Sequence, residues 1–428
     1  MRIKYIHKEL PNKMQVIMVP IPDDTGVAME LSIRAGLALE PENLSGITVL
    51  LERIMKEIYP KEYLFNVTSF GFRIYGGGPP DKLKDIFNGM VKVYHKYTFT
   101  EHEINIAKEI ISNNHLTLIV SDPLEAMYAH VQKTLYLDIP VSNGLVGKQH
   151  IDHITKQDIQ EFMKAYFRPN NTLFMVFGNF SEYEMYNLIK KNFKGQPRKS
   201  TLEPILDINH QRRFSNQLFK NQTQPKIHIF PRENFRESFI FIMFPIPIDY
   251  FQPENNNVCF ALFRILDSIG NTGRIHTRLR TQEGFIYSHQ IFIFGKFVSL
   301  FLFFQTHPKY AAHAIKSAVE EIYRLTIELV SSVELKTIKE DTLKNPPLDF
   351  IASPLEEHAY RFENYLEQEN LSPIVKYQRS KAFKDEIQAR IDAEVTPEAI
   401  RDMAAKIFVP EHLNVFIMGK IPDSEIKL

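Results

Sequence analysis

Histidines, carboxylates and the single cysteine are the residues that could do chemistry in this chain, and their spacing limits what they can do. His150 and His153 are an i,i+3 pair in a stretch that reads as a loop, with no clear third ligand nearby. His307 and His313 are six apart. Glu356-Glu357-His358 lies on a predicted helix, where adjacent side chains point to different faces. A protein metal site needs several donors converging on one point, so surface or capping roles are expected for each of these groups. Cys259 is the only cysteine, which excludes an internal disulfide and a cysteine metal cluster. Its setting, Asn257-Val258-Cys259-Phe260-Ala261, is apolar and helical and predicts a buried, inert thiol. No Gly-x-Ser-x-Gly nucleophile elbow occurs. Gly76-Gly77-Gly78-Pro79-Pro80 lacks the Lys-Ser/Thr ending of a phosphate loop and reads as a tight turn.

The elements that would position such residues follow from apolar periodicity. Alternation predicts strands over 14–20 and 26–35, closed by Gly36. Spacing of three and four predicts helices over 44–58, 82–97 and 101–120, with Ser45 and Thr100 as N-caps. The most apolar stretch, 285–306, is split by Gly295-Lys296. Each half is about ten residues, short of the ~20 that a membrane-spanning helix needs, so a buried β-hairpin is expected.

Composition narrows the function classes. The chain has 428 residues, 44% hydrophobic, with 33 Phe and 18 Tyr, enough to bury a real core and to exclude overall disorder. Lys and Arg together number 51, as do Asp and Glu. With no basic excess, nucleic acid is not an expected partner. Nor is a membrane, and a cytoplasmic location is expected because no leader-like apolar run follows Met1.

Self-comparison reveals a duplication. Residues 153–179 (HITKQDIQEFMKAYFRPNNTLFMVFGN) align without a gap on 394–420 (EVTPEAIRDMAAKIFVPEHLNVFIMGK). Thr155/Thr396, Ile159/Ile400, Phe167/Phe408, Pro169/Pro410 and Gly178/Gly419 are identical. The shared logic is a Thr N-cap, an amphipathic helix, a Pro stop, and a buried strand ending in Gly. Two related α+β halves are expected, 1–194 and 218–428. The linker, 195–217, contains Gly195, Pro197 and Pro204.

Leu10-Pro11-Asn12 before a strand, Ala35-Gly36 followed by Glu40-Pro41, Ser45-Gly46-Ile47 before a helix, and the run from Ile154-Thr155 to Gly178 together resemble the insulinase/pitrilysin-type zinc peptidases. The resemblance runs from about residue 8 to 420. It implies an α+β chain of two related α/β-sandwich halves, each a mostly antiparallel sheet packed with helices. In that family the helix after Ser-Gly carries His-x-x-Glu-His, because imidazoles at i and i+4 share a helix face and the Glu polarises the attacking water. This sequence has Val49-Leu50-Leu51-Glu52-Arg53 in that frame. The third family ligand is a Glu on a later helix, where Asn114 stands, with Glu109 as a nearby alternative. Val49 offers no lone pair and Arg53 is permanently cationic. No metal or other cofactor is therefore expected in this chain, and Glu52 reads as a solvated or salt-bridged helix carboxylate.

A second family signature resembles Gly273–Ser288 as it stands here: an Arg followed seven residues later by a Tyr, after a Gly. Arg280 and Tyr287 match it, and the resemblance implies contact with a substrate peptide. A guanidinium suits a peptide carbonyl or carboxylate, and a phenol adds one directional hydrogen bond. Without the resemblance, Arg280 reads as a surface helix residue. Metal ligands lost and substrate residues kept resemble the zinc-free subunit of a two-chain peptidase, as in the mitochondrial processing peptidase. The implied function is a non-catalytic, peptide-holding subunit, with zinc on a homologous partner chain. The alternative is an inactive scaffold or peptide-binding protein without a peptidase partner. Residues 65–68 are the candidate remnant of a substrate-binding edge strand.

Overall fold

Val27, Met29, Leu31 and Ile33 alternate with Ala28, Glu30 and Ser32, the period-two pattern of a strand with two distinct faces. The computed structural model describes residues 6–22, 25–68, 71–96, 98–135, 143–193, 222–232, 235–246, 253–267, 273–294, 299–344, 381–420 and 426. In it these residues form β3 (Val27–Ile33), at the centre of a six-stranded sheet. The sheet order is β1-β2-β6-β3-β5-β4, with β1 (Ile6–Glu9), β2 (Gln15–Pro20), β4 (Leu64–Val67), β5 (Phe72–Gly78) and β6 (Thr172–Gly178). All neighbours are antiparallel except β2 and β6. Helices α1 (Ile47–Ile58), α2 (Leu83–Tyr94) and α3 (Glu101–Ser121) share its core, where Leu31, Leu50, Phe87, Tyr94 and Phe174 are fully buried.

The second sheet has the order β7-β11-β8-β10-β9. Its strands are β7 (Lys226–Pro231), β8 (Ser238–Pro245), β9 (Ile286–Phe294), β10 (Ser299–Thr306) and β11 (Asn414–Gly419), and only β7 and β11 run parallel. Ile240, Leu302, Ile315 and Ile400 lie in its core. This unit also takes in Ala126–Leu135, from helix α4 (Pro123–Leu135). Tyr128 of that helix sets its ring 5.5 Å from Phe241 and 5.7 Å from Phe292. The fold is thus α+β, two sheets each packed with helices.

The duplication is visible at each step. Thr155 and Thr396 accept hydrogen bonds from the N–H groups of Asp158 (3.2 Å) and Ala399 (3.1 Å), capping helices Lys156–Tyr166 and Pro397–Ile407. Ile159, Ile400, Phe167 and Phe408 are buried. Pro169 and Pro410 open short 3₁₀ turns. Gly178 and Gly419 have φ of 109° and 104°, where side chains are strained. A Cβ at either would collide with a carbonyl oxygen, of Gly26 or of Glu237. β6 lies parallel to β2 and antiparallel to β3, and β11 lies parallel to β7 and antiparallel to β8.

Some expectations change in detail. The expected turn at Gly76–Gly78 is the end of β5. Its glycines serve close packing: a Cβ on Gly76 would sit 2.9 Å from Met90 Sδ and 3.0 Å from Ile86 Cγ2, both on α2. The helix expected from 44 starts at Ile47, after Gly46 at φ 91°. Within the apolar stretch 285–306, β9 and β10 pair antiparallel, and Gly295-Lys296 lie outside the described residues. No helix among the described residues is long and apolar enough to cross a membrane. The expected linker at 195–217 and the group at 356–358 lie outside the described residues.

Candidate functional site

The first candidate region is α1, whose start is held from a distance. The Glu40 carboxylate accepts from Gly46 N–H (2.6 Å), Thr48 N–H (2.8 Å) and the Thr48 hydroxyl. It therefore fills the role expected of Ser45, whose side chain does not cap the helix. Burial outweighs these bonds and raises the Glu40 pKa to about 7. Only the neighbouring Glu40-Pro41 hinted at this residue, and a cap supplied from so far upstream has no local pattern.

Along α1, Val49 packs its isopropyl group into the core. Glu52, 5% exposed, accepts the Val67 N–H of β4 at 3.1 Å and pairs with Lys56 at 3.1 Å. It is salt-bridged, as expected, but buried rather than solvated. Burial raises its pKa, and Lys56 opposes that rise. Arg53 pairs with Glu57 at 3.3 Å. α3 packs on α1 through Ile104, Ala107 and Ile111, while Glu109 and Asn114 are exposed. The four positions of the frame thus hold an aliphatic group, an engaged carboxylate, a guanidinium and, at the fourth, the exposed Asn114 amide or the exposed Glu109 carboxylate. That donor set does not fit zinc, which takes neutral imidazoles, thiolates or carboxylates. Among the described residues no three His, Cys, Asp or Glu side chains converge as a metal-holding group.

The remaining candidates have structural partners. His150 Nδ1 accepts from Gly147 N–H (3.0 Å), and His153 Nε2 meets Asn43 O (2.9 Å). His307 caps the helix Pro308–Arg324 by accepting from Lys309 N–H (3.3 Å). The Cys259 thiol is fully buried, which pushes its pKa up and leaves it an inert apolar group.

The second region is built on a π-helical turn, His276–Gln282, anchored by buried Leu279. Gly284, at φ 66°, turns the chain into β9, and Phe285 N–H donates back to Leu279 O at 2.8 Å. This geometry brings Arg280 onto Tyr287, with the guanidinium carbon 4.8 Å from the ring centroid. The same guanidinium donates to Ile286 O at 3.1 Å. Both side chains are exposed, Tyr287 at 75%. Beside them Phe285 stacks on Tyr310 at 5.3 Å, and Lys309 lies 4.5 Å over the same ring. Sequence reasoning missed this flanking aromatic pair, because Phe285 and Tyr310 come together only through the fold. The chemistry on offer is a cation and a phenol presented outward, with the cation already resting on a backbone carbonyl.

Comparison with known proteins adds four findings. Residues 153–341 match the family described as "Peptidase M16 inactive domain". A zinc protease named PqqE from Helicobacter pylori is 22% identical over 396 residues, covering 86% of this chain and 85% of the relative. Among solved structures, a peptidase M16 inactive domain from Pseudomonas fluorescens superposes with a TM-score of 0.72 at 13% identity, covering 99% of this chain and 100% of its own. The periplasmic protease PqqL from Escherichia coli superposes with a TM-score of 0.67 at 16% identity. That match covers 97% of this chain and 47% of the PqqL chain.

Proposed function

We propose that this chain, whose residues 153–341 match the M16 inactive domain and which is similar along most of its length to an M16-type zinc protease, is the non-catalytic, peptide-holding subunit of a two-chain zinc endopeptidase. One observation carries this reading: Arg280 and Tyr287 are presented together and outward, on a chain whose α1 offers no ligand set for zinc. Zinc and the attacking water then belong to a homologous partner chain. The size relation supports a pair, since this chain matches about half of the PqqL protease. In the peptide-free state the Arg280 guanidinium rests on Ile286 O. An arriving peptide carbonyl can take that place, and the phenol supplies a second directional bond. Fixing an extended peptide lowers the entropic part of the barrier for a partner that cuts it.

The test mixes chains. Peptide hydrolysis is measured with zinc for this chain alone, for a zinc-motif homologue from the same genome alone, and for both together. Activity only in the mixture is expected. In that mixture R280A/Y287F is expected to lower turnover while assembly, read by size-exclusion chromatography, stays intact. Full activity of the homologue alone, or unchanged turnover with the double variant, overturns the proposal.

A further inference from the structure

Tyr287 owes its exposure to an irregularity in β9. Phe304 of β10 faces His289 and Thr306 faces Ile286, so Tyr287 and Ser288 together oppose Gln305. An extra residue of this kind is a β-bulge, which turns a side chain out of the regular alternation, and both Tyr287 and Ser288 are exposed. Phe285, on the other side of buried Ile286, stacks on Tyr310 in the first turn of the helix Pro308–Arg324. Lys309 Nζ lies 4.5 Å from the centroid of the Tyr310 ring, much as the Arg280 guanidinium carbon lies 4.8 Å from that of Tyr287. Two exposed cations, each resting on an aromatic face, thus stand at the ends of the run Tyr287, Phe285, Tyr310. Other arginines of this segment and helix are neutralised: Arg274 pairs with Glu334 at 2.8 Å, Arg278 with Glu283 at 2.9 Å and Arg324 with Glu328 at 2.8 Å. Neither Arg280 nor Lys309 has a carboxylate partner among the described residues.

We propose that Lys309, resting on the stacked Phe285–Tyr310 pair, forms a subsite for an acidic side chain of the bound peptide, an aspartate or a glutamate. Charge complementarity selects this ligand. An aromatic face attracts a cation but leaves its charge uncancelled, and a carboxylate supplies the missing charge. The ring also restricts the long Lys309 side chain before the peptide arrives, which reduces the entropy lost on binding. A lysine or arginine of the peptide would meet like charge at both ends of the run, so the same two cations reject basic peptides. Phe285 is two residues from Tyr287, a step of about 7 Å in extended chain, and Tyr310 lies 5.3 Å from Phe285. An extended peptide covers such a span within about four residues, so the acidic residue falls close to the one whose carbonyl Arg280 holds. The proposal rests on the peptide-holding reading given above and adds to it the class of peptide.

The test uses the full chain and a fluorescein-labelled Thr/Ala peptide, either unchanged or with a single Glu or Lys walked through its positions, with binding read by anisotropy. At its best position Glu is expected to tighten binding about threefold at low salt, the scale of a solvent-exposed ion pair, and added sodium chloride is expected to shrink that gain. Lys at the same position is expected to weaken binding. K309E is expected to reverse the ranking of the Glu and Lys peptides, and K309Q to abolish the Glu advantage. Thermal melting checks the fold of each variant, and K309Q carries the test if K309E does not fold. Equal affinity of the unaltered chain for all three peptides overturns the acidic subsite while leaving the peptide-holding reading intact. A Glu preference that survives substitution of Lys309 overturns the subsite as well. No binding of any of the peptides by the unaltered chain overturns both.

Discussion

Glu40 shows how one buried carboxyl can govern the start of a helix. Its pKa is raised to about 7 because burial costs its anion more than three hydrogen bonds return. The unfolded chain holds this proton less tightly than the folded one. Stability from Glu40 is therefore complete below the ordinary carboxylate range, about 4.5, and declines as pH rises through about 7. The melting temperature is expected to fall between pH 5 and pH 8, and E40Q is expected to flatten that part of the profile. A slope unchanged in E40Q would assign the effect elsewhere. The sequence showed a Glu-Pro pair but not this role, since Ser45 is the conventional local capping type and the residue that caps lies outside any local capping box. Arg280 and Tyr287 are the converse. Their types and spacing were legible, while the Ile286 carbonyl under the guanidinium was not, because backbone acceptors carry no sequence signature.

At the scale of elements, the repeat was the most legible feature. Thr155 and Thr396, with the helices and strands that follow them, use short-range rules: a hydroxyl cap, a face of apolar residues, a Pro stop. Such rules survive translation from sequence to structure because few distant contacts compete with them. The last three residues of β5, Gly76–Gly78, read as part of a turn for the opposite reason. Three glycines lower strand propensity, yet at Gly76 the missing Cβ is what lets Met90 and Ile86 of α2 approach. The pair Gly178 and Gly419 gives a matched test. Each has positive φ and a carbonyl where a Cβ would go. G178A and G419A are each expected to cost about 2 kcal/mol or more in urea unfolding. A mild effect at one and a large effect at the other would break the equivalence of the two strands.

At the scale of the molecule, the decisive property is the donor set. Val49, Arg53 and the exposed Asn114 put no zinc donor at three of the four positions of the family frame, with Glu109 the nearby alternative to Asn114. The purified chain, dialysed against excess zinc and then against buffer, is expected to retain no stoichiometric metal by mass spectrometry. One tightly held equivalent would contradict the ligand argument. Neither net charge nor composition pointed to this. A balanced count of 51 cationic and 51 anionic residues makes nucleic acid an unexpected partner but says nothing about peptides.

The bond between Glu52 and Val67 also bears on what installing a zinc site in this chain would require. Placing imidazoles at positions 49 and 53 and a carboxylate at 114 would rebuild a ligand list, yet the one remaining family residue has other work. Its Oε1 accepts from a strand amide and pairs with a lysine. Freeing it would give up the hydrogen bond that ties the Val67 amide of β4 to α1, so a rebuilt ligand set would come at the expense of that strand's attachment.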